Sequence, residues 1–441
     1  MLPEAFRSSI ISQLGPQKAE SLFRVLDTEP PVSIRLHHSK LSEFPGSRPA
    51  PFSRYGRILS ARPQFKDDPL FHAGAYYVQE ASSMALESLL PLFQEISHKR
   101  GGLKVLDLCA APGGKSTHLL SLLGLCEGPG LLLSNEVVRS RAAILADNIA
   151  KWGCSNSIVT SLDPSVLGRL EGFFDVIVVD APCSGEGMFR KDHNARNEWS
   201  EDNVALCAAR QKRILADIWP ALSAGGILAY STCTFNSLEN EDNLLWACSN
   251  LGASLADIPG SPETGRHYYP GEDCGEGFFL GALVKDGEYR PFRTGEKDTK
   301  GSLKPFKDKI DWVNSEDFVL YRKGNLVKAY PKTAANAMLC LENRLNNVLS
   351  AGTAVAQVIE GARGYVLVPD ADLALGEALK PAAFPSVALD TEQARGFISR
   401  EPLILPSGTP KGYVLLTYSG LPLGFAKNIG TRANNLWKTR L

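Results

Sequence analysis

Four short apolar runs separated by helical segments most constrain how this chain can fold. The runs cover residues 105–108, 131–134, 175–179 and 226–230, and each predicts a buried parallel strand because it is largely apolar. Residues 116–125 and 139–152 predict helices between them. This alternation indicates an α/β fold with helices on both faces of a mostly parallel sheet. Ligands and catalytic groups are therefore expected at the carboxyl ends of the strands.

Two cysteines follow two of these predicted strands. Cys183 lies in the stretch Asp-Ala-Pro-Cys-Ser-Gly that begins at Asp180, and Cys233 lies in Ser-Thr-Cys-Thr-Phe. A thiol at a strand end can act as a nucleophile, and two thiols can divide the making and breaking of one covalent bond. Both cysteines are therefore candidate catalytic residues, with Asp180 beside them.

A loop of small residues follows the first strand and predicts a nucleoside site. It consists of Cys109, Ala110, Ala111, Pro112, Gly113, Gly114 and Lys115. It has neither the dinucleotide G-x-G-x-x-G pattern nor the P-loop pattern. Glu136 follows the second strand, where an acid can accept both ribose hydroxyls, and Asp163 lies in the third loop. This order suits an adenosyl ligand and favours S-adenosylmethionine over NAD, because the loop lacks the pyrophosphate pattern.

Three stretches of the chain, 107–115, 180–192 and 231–241, resemble the Sun-family RNA cytosine-5 methyltransferases. Residues 31–35, 71–80 and 420–427 extend the resemblance over most of the chain, and it is greatest to bacterial members that act on small-subunit (16S) ribosomal RNA. The resemblance implies a Rossmann-like S-adenosylmethionine-dependent methyltransferase core. It also implies an N-terminal α+β accessory domain and a C-terminal accessory domain similar to PUA modules, which bind RNA.

The resemblance also implies roles for the site residues. Carbon 5 of cytosine is a poor nucleophile until a thiolate adds to carbon 6. The resemblance assigns that attack to Cys233 and the resolution of the covalent adduct to Cys183. Asp180 can protonate or hydrogen-bond ring nitrogen 3. Residues 109–115, Glu136, Asp163 and Asp180 are expected to contact S-adenosylmethionine, and Lys115 and Lys191 are further candidate contacts of the nucleotide or cofactor.

Length and composition agree with this interpretation. A chain of 441 residues predicts two or three domains. Its nine cysteines include no C-x-x-C pair, so no zinc or other metal site is predicted. We expect a monomeric, cytoplasmic protein. No membrane segment is expected, because there is no signal-peptide pattern and no apolar run of spanning length.

Changes in composition and in the predicted elements along the chain indicate four segments. These are an N-terminal accessory domain over 1–95, the methyltransferase domain over 96–287, a linker over 288–309, and a C-terminal RNA-binding module over 310–441. Residues 278–284 predict a late strand, antiparallel to its neighbour. Acidic residues outnumber basic ones by 24 to 14 between residues 101 and 289, whereas residues 411–441 carry five basic residues and no acid. With Tyr418 and Trp437 interleaved, that last stretch predicts an RNA surface.

The motifs also bear on three alternative functions. A methyltransferase for base amines or proteins usually has an Asn/Asp-Pro-Pro-Tyr/Phe motif where this chain has Asp-Ala-Pro-Cys, which argues against that class. A non-catalytic RNA-binding assembly factor would be expected to lack Cys233, Asp180 or the glycine loop, and all are present. A tRNA substrate stays open, because the catalytic motifs do not distinguish tRNA from rRNA.

Overall fold

The central part of the chain forms a mostly parallel sheet covered by helices on both faces. The structure is a computed structural model that describes residues 2–262, 264–272, 274–293, 295, 301, 303–362 and 364–440. The strands of the first, N-terminal sheet are β1 (Val32–Leu36), β2 (Ser47–Pro49), β3 (Gly56–Leu59) and β4 (Tyr76–Val78). The central sheet contains β5 (Leu103–Asp107), β6 (Gly130–Asn135), β7 (Ser157–Thr160), β8 (Phe174–Asp180), β9 (Leu222–Thr232), β10 (Ala253–Leu255), β11 (Arg266–Tyr268) and β12 (Phe278–Lys285).

The strand order of the central sheet creates the crevice for a ligand. The order is β10-β12-β9-β8-β5-β6-β7, with β9 to β7 parallel and β12 antiparallel to β9. The chain leaves β5 in one direction to β6 and later returns to its other side through β8. Such a reversal point leaves a crevice at the carboxyl ends of the two strands. The loop after β5 and the residues at the end of β8 therefore face the same crevice.

Burial explains why these segments form strands. The side chains of Val176, Ile177, Val178 and Val179 are completely buried, because both faces of β8 are covered by helices. The helices of this part are Leu90–Arg100, Gly114–Leu123, Arg139–Trp152, Pro164–Gly168, His193–Glu198, Glu201–Ile218 and Glu241–Leu251. The α/β fold and the strands predicted at 105–108, 131–134, 175–179, 226–230 and 278–284 are confirmed within a few residues, including the antiparallel direction of the last.

The N-terminal segment supports the crevice from two sides. Its helices, Glu4–Leu14 and Pro16–Leu26, pack on the loop that follows Cys183, where the ring of Phe6 lies 5.0 Å from that of Phe189 and 5.8 Å from that of Trp199. Its sheet has the order β2-β3-β1-β4, and a short helix, Pro69–His72, precedes β4. The chain runs from β4 directly into the crevice wall.

Two further sheets follow the central part of the chain. One contains β13 (Lys304–Pro305), β14 (Phe318–Lys323), β15 (Leu326–Pro331), β17 (Thr353–Gly361) and β18 (Gly364–Pro369). The other contains β19 (Ser386–Leu389), β20 (Gly412–Tyr418), β21 (Leu421–Asn428) and β22 (Ala433–Asn435). The helices are Ala335–Arg344, Ala371–Leu375 and Thr391–Ile398.

One strand from the C-terminal part belongs to the central sheet. Strand β16 (Val348–Ala351) pairs antiparallel with β7, so the sheet extends beyond the segment over 96–287. The four-part division at residues 95, 287 and 309 stays a prediction. Residues 294, 296–300 and 302 of the predicted linker lie outside the described residues.

Candidate active site

The two predicted catalytic thiols lie against each other. Strands β8 and β9 are parallel neighbours with Asp180 opposite Ser231, so Cys183 and Cys233 leave the sheet at the same edge. Their sulfur atoms are 3.3 Å apart and both residues are half-buried. The hydrogen bond to Cys233 and burial together raise the pKa of the Cys183 thiol well above its usual range. Cys183 therefore keeps its proton more strongly than an ordinary thiol does.

A lysine–aspartate pair lies beside the thiols. Lys115, in the first turn of the helix Gly114–Leu123, places its Nζ 2.8 Å from Asp180 Oδ2. The hydroxyl of Ser231 donates to Asp180 Oδ1 at 2.8 Å. Burial alone would lower the pKa of Lys115, but the Asp180 carboxylate, with a contribution from Cys233, raises it above the usual value. Lys115, whose side chain is 13 % exposed, is therefore a cation near the Cys233 sulfur.

The glycine loop forms one wall of a cavity of about 170 Å³. Residues lining the cavity from this loop are Cys109, Ala110, Ala111, Pro112, Gly114 and Lys115; Asp180 lines it from β8, and Tyr77, Gln79 and Glu80 line it from the segment at β4. Gly113 adopts a φ of 115°, which permits the turn into the helix. Burial raises the pKa of the Cys109 thiol, so Cys109 is unsuited to act as a nucleophile here.

Asp107, the last residue of β5, is a buried acid that the sequence interpretation did not assign. The hydroxyl of Ser116 donates to its Oδ2 at 2.6 Å, whereas Oδ1 has no hydrogen-bond partner among the described residues. Burial, together with the nearby Asp180 and Glu136, raises the pKa of Asp107 to about 7. Such an acid suits a ligand that brings a cationic donor. Its position directly before the glycine loop was the available sequence signal.

The two other predicted cofactor acids differ in their surroundings. Glu136 is 3 % exposed, accepts a hydrogen bond from the Val138 N–H at 3.0 Å, and lies 3.3 Å from Arg141. Asp163 is exposed, and its carboxylate caps the helix Pro164–Gly168 by accepting from the N–H and hydroxyl of Ser165. The cavity behind the glycine loop is lined by neither acid. Their cofactor roles stay predictions.

Two buried glutamates brace the loops that carry the thiols, and neither was assigned from the sequence. Glu186 accepts hydrogen bonds from the N–H groups of Phe235 and Asn236 and from the Trp199 indole. Glu239 accepts from the Ser184 N–H at 3.0 Å and from the Gln211 side chain at 2.7 Å. Each acid therefore joins the loop after β8 to the loop after β9. Both lie inside the two cysteine motifs, which was the only sequence signal for them.

Three segments of this chain match known protein families. Residues 2–81 match the N-terminal domain of 16S rRNA methyltransferase RsmF, residues 97–284 match 16S rRNA methyltransferase RsmB/F, and residues 384–438 match the methyltransferase RsmF PUA domain. Ribosomal RNA small subunit methyltransferase F of Salmonella paratyphi A is 31 % identical over 395 residues, which cover 84 % of this chain and 78 % of that protein. The chain belongs to the RsmB/F family of 16S rRNA methyltransferases.

Other relatives agree with this family membership. The enzyme of the same name from Pectobacterium atrosepticum is 31 % identical over 82 % of this chain and 76 % of its own length. A solved methyltransferase homologue from Pyrococcus horikoshii is 25 % identical, with a TM-score of 0.55 over 64 % of this chain and 95 % of that one. NSun6 from Pyrococcus horikoshii, solved with SFG, has the same fold at 19 % identity and a TM-score of 0.53, over 65 % of this chain and 99 % of its own.

The predicted RNA surface over 411–441 is partly neutralised within this RsmB/F-family chain. Lys438 and Arg440 form ion pairs with Asp372 at 3.1 and 2.9 Å, and the Trp437 ring packs 5.5 Å from Phe397. Asp372 lies outside the stretch, so a count of charges along the tail could not find it. Lys411, Lys427 and Arg432 remain as its candidate phosphate contacts.

The described residues form neither a metal-ligand cluster nor a membrane-spanning helix. Across the described ranges, no three His, Cys, Asp or Glu side chains are grouped so that they could hold a metal ion. None of the helices in the described part of the chain is long and apolar enough to span a bilayer.

Proposed function

We propose that this chain transfers a methyl group from S-adenosylmethionine to carbon 5 of a cytosine in small-subunit ribosomal RNA. The carrying observation is the pair of thiols 3.3 Å apart beside the Lys115–Asp180 pair. Cytosine-5 methylation needs one covalent bond to be made and later broken, for which two adjacent thiols are suited. Membership of the RsmB/F family and a match to the RsmF PUA domain support ribosomal RNA as the substrate.

The ends of β5 and β6 fit S-adenosylmethionine. The buried Asp107 Oδ1, which has no partner in the described part of the chain, can accept the amino group of the methionine portion. Glu136 can accept the ribose hydroxyls, Asp163 is a further proposed contact, and the loop over 109–115 lines the cavity of about 170 Å³. When bound there, S-adenosylmethionine supplies an electrophilic methyl group.

Cys233 starts the reaction by adding its thiolate to carbon 6 of the base. Electron density then moves towards ring nitrogen 3, and Asp180 can donate a proton to that nitrogen as the thiolate adds. Lys115, whose Nζ is 2.8 Å from Asp180 Oδ2, orients this carboxyl group and keeps its own positive charge. Carbon 5 becomes an enamine carbon, nucleophilic enough to accept the methyl group.

The charges around the two thiols favour different roles for them. The Lys115 cation lies near Cys233 and stabilises a thiolate there, and Cys233 in turn contributes to the raised pKa of Lys115. The pKa of Cys183 is raised by its hydrogen bond to Cys233 and by burial, and then by the Glu239 carboxylate. Cys233 is therefore the attacking group, and Cys183 serves to remove the carbon 5 proton after methylation, so that the Cys233 bond can break.

The experiment that tests this function incubates the purified protein with methyl-labelled S-adenosylmethionine and separated RNA pools. The pools are small ribosomal subunits, naked 16S rRNA and bulk tRNA, and 5-methylcytosine is mapped in each. Label at a cytosine of the small-subunit RNA is the expected result.

Three results would contradict the proposal at different levels. Label confined to tRNA would overturn the substrate and leave the chemistry intact. Label in the RNA without any 5-methylcytosine would overturn the cytosine-5 chemistry. Label in none of the pools would overturn methyl transfer to RNA as the activity.

A further inference from the structure

Glu239 is hydrogen-bonded to one chain neighbour of Cys183 directly and is linked to the other through Gln211. Glu239 Oε2 accepts the N–H of Ser184 at 3.0 Å and the amide of Gln211 at 2.7 Å. The same Gln211 nitrogen donates to the carbonyl of Pro182 at 2.9 Å. Glu239 is completely buried, and its other oxygen accepts from the Asn236 amide at 2.9 Å. Glu239 therefore holds the backbone on each side of the Cys183 thiol.

We infer, resting on the proposed function, that Glu239 is a positioning residue for the release of the methylated base. It holds the Cys183 sulfur in place and keeps it a thiol until Cys233 has bonded to the base. The hydrogen bonds of the Glu239 carboxylate go to Ser184, Gln211 and Asn236, so we expect the steps before release to be unaffected.

The electrostatic surroundings of Cys183 explain why this thiol loses its proton only after the covalent adduct has formed. The titratable groups that face it are Cys233 on the loop after β9, Tyr230 on β9 and Glu239 before the helix Glu241–Leu251. The interaction with Cys233 is the largest cause of its raised pKa. Once Cys233 is bonded to carbon 6 its sulfur is an uncharged thioether, so this cause disappears. Burial and the Glu239 carboxylate remain. The Cys183 thiolate, once it forms, is therefore a stronger base than an ordinary cysteine thiolate.

The protons and electrons of the release step balance. The Cys183 thiol gives its proton to water when Cys233 has become a thioether. The Cys183 thiolate then takes the proton from methylated carbon 5, and that C–H electron pair forms the carbon 5–carbon 6 double bond. The carbon 6–sulfur bond breaks, and its electron pair leaves with Cys233 as a thiolate. The enzyme returns to its starting state, and one proton has been released for each methyl group transferred.

Glu186 provides a matched control within the same loops. It is 1 % exposed and also accepts hydrogen bonds across the two loops, but its partners are Trp199, Phe235 and Asn236, none of which adjoins Cys183. Glu186→Gln therefore disturbs the bracing of the loops to a similar extent, without removing a charge held next to Cys183.

The first measurement needs no RNA. In a Cys233→Ser background, alkylation of Cys183 by iodoacetamide is followed against pH by peptide mass spectrometry. Glu239→Gln should move the midpoint to lower pH by about one unit, which is about tenfold faster alkylation near neutral pH. Glu186→Gln should leave the midpoint unchanged. An unchanged midpoint in Glu239→Gln, or an equal shift in Glu186→Gln, would overturn the inference.

The second measurement uses RNA and the full-length protein with both cysteines. Glu239→Gln should accumulate a denaturant-resistant protein–RNA band severalfold above the unsubstituted protein, while methyl transfer in a single turnover is preserved. Gln211→Leu breaks the link to Pro182 and keeps the charge, so it should accumulate the band without shifting the alkylation midpoint. No accumulation in either variant would overturn the positioning role.

The two measurements also separate this inference from the proposed function. If no variant, including Cys183→Ala, forms a covalent band with any RNA, the proposed chemistry fails. The alkylation midpoint still reports whether Glu239 controls the Cys183 thiol, because that measurement depends on neither RNA nor cofactor. Gln211→Leu supplies the test of position should Glu239→Gln not fold.

Discussion

The two halves of the candidate active site are held in different ways. The thiol half comprises residues 181–192 and 233–240, and the cofactor half comprises residues 107–115, 136–138 and 161–163. In the thiol half, Glu186 and Glu239 are buried and each has donors on both carboxylate oxygens. In the cofactor half, the buried Asp107 Oδ1 has no donor from any described residue, and Asp163 is exposed.

This difference shows which half is complete before any ligand binds. Buried polar groups are costly unless they are hydrogen-bonded, so a saturated network is a finished part of the folded protein. A buried acid with an unpaired oxygen instead obtains its hydrogen-bond donor from the ligand that binds there. Changes in the thiol half should therefore alter turnover and covalent chemistry, whereas changes in the cofactor half should alter affinity.

The largest effect is expected from Cys233→Ala. It should abolish methyl transfer because no sulfur remains to activate carbon 5, whereas S-adenosylmethionine affinity measured by calorimetry should be unchanged. Cys248→Ala, at another half-buried thiol, is the matched control and should keep full activity. Substantial turnover by purified Cys233→Ala would show that the covalent chemistry does not depend on the thiol half.

The next effect separates the two thiols. Cys183→Ala should trap the protein on RNA, because the carbon 5 proton then lacks its base and the Cys233 bond cannot break. The measurement is a denaturant-resistant band that depends on Cys233, so the double variant with Cys233→Ala should show none. If Cys233→Ala traps RNA and Cys183→Ala does not, the two roles are reversed.

In the cofactor half, Asp107→Asn should have the largest effect. It should weaken S-adenosylmethionine binding by about 2–3 kcal/mol, because a charge-assisted hydrogen bond is lost. It should also change the pH dependence of stability. The pKa of Asp107 is raised to about 7 in the folded protein, so its stabilising contribution in the ligand-free protein is complete at acid pH and is lost as pH rises through about 7.

The measurement is thermal unfolding of the ligand-free protein between pH 4 and 8. Asp107→Asn should flatten the decline towards neutral pH, and the exposed-site control Glu95→Gln should not. A decline of equal slope in Asp107→Asn would show that other groups cause it.

A smaller loss of affinity is expected at Glu136. Glu136→Ala should weaken S-adenosylmethionine binding by about 1–2 kcal/mol, because the ribose hydroxyls lose an acceptor that Arg141 already partly occupies. Calorimetry that shows unchanged affinity would move the ribose contact to another residue.

The smallest effect is expected at Asp163, where capping and cofactor binding can be separated. Asp163→Asn keeps a capping oxygen and should weaken cofactor binding by about 0.5–1 kcal/mol. Asp163→Ala should in addition cost about 1 kcal/mol of stability through the lost cap. If Asp163→Asn binds the cofactor normally, Asp163 is only a helix cap.

Much of the central sheet could be predicted from the sequence, because buried parallel strands are continuous apolar runs. Residues 175–179 are an example, since both faces of β8 are covered and its core valines are completely buried. The strand β16 could not be predicted as part of that sheet, because it pairs with β7 from far along the chain. Its membership depends on packing that no local pattern records.

The site could be predicted where chemistry lies in a short motif, and not where it depends on a partner. The cysteines, Asp180 and the glycine loop stood out through residue type and position after a strand. Asp107, Glu186 and Glu239 did not, because an acid in a motif has no distinguishing pattern until its burial is known. The positive stretch over 411–441 was also incomplete as a prediction, since Asp372 neutralises Lys438 and Arg440.

The amino-acid sequence by itself determined the order of strands and helices, and that two thiols would follow two strands, because these depend on local periodicity and residue type. Only the tertiary structure decided that Cys183 and Cys233 lie 3.3 Å apart, that Lys115 pairs with Asp180, and that Glu239 accepts the N–H next to Cys183. These contacts join segments far apart in the chain. Their distances and charges exist only once the strand order brings β5, β8 and β9 to one edge of the sheet.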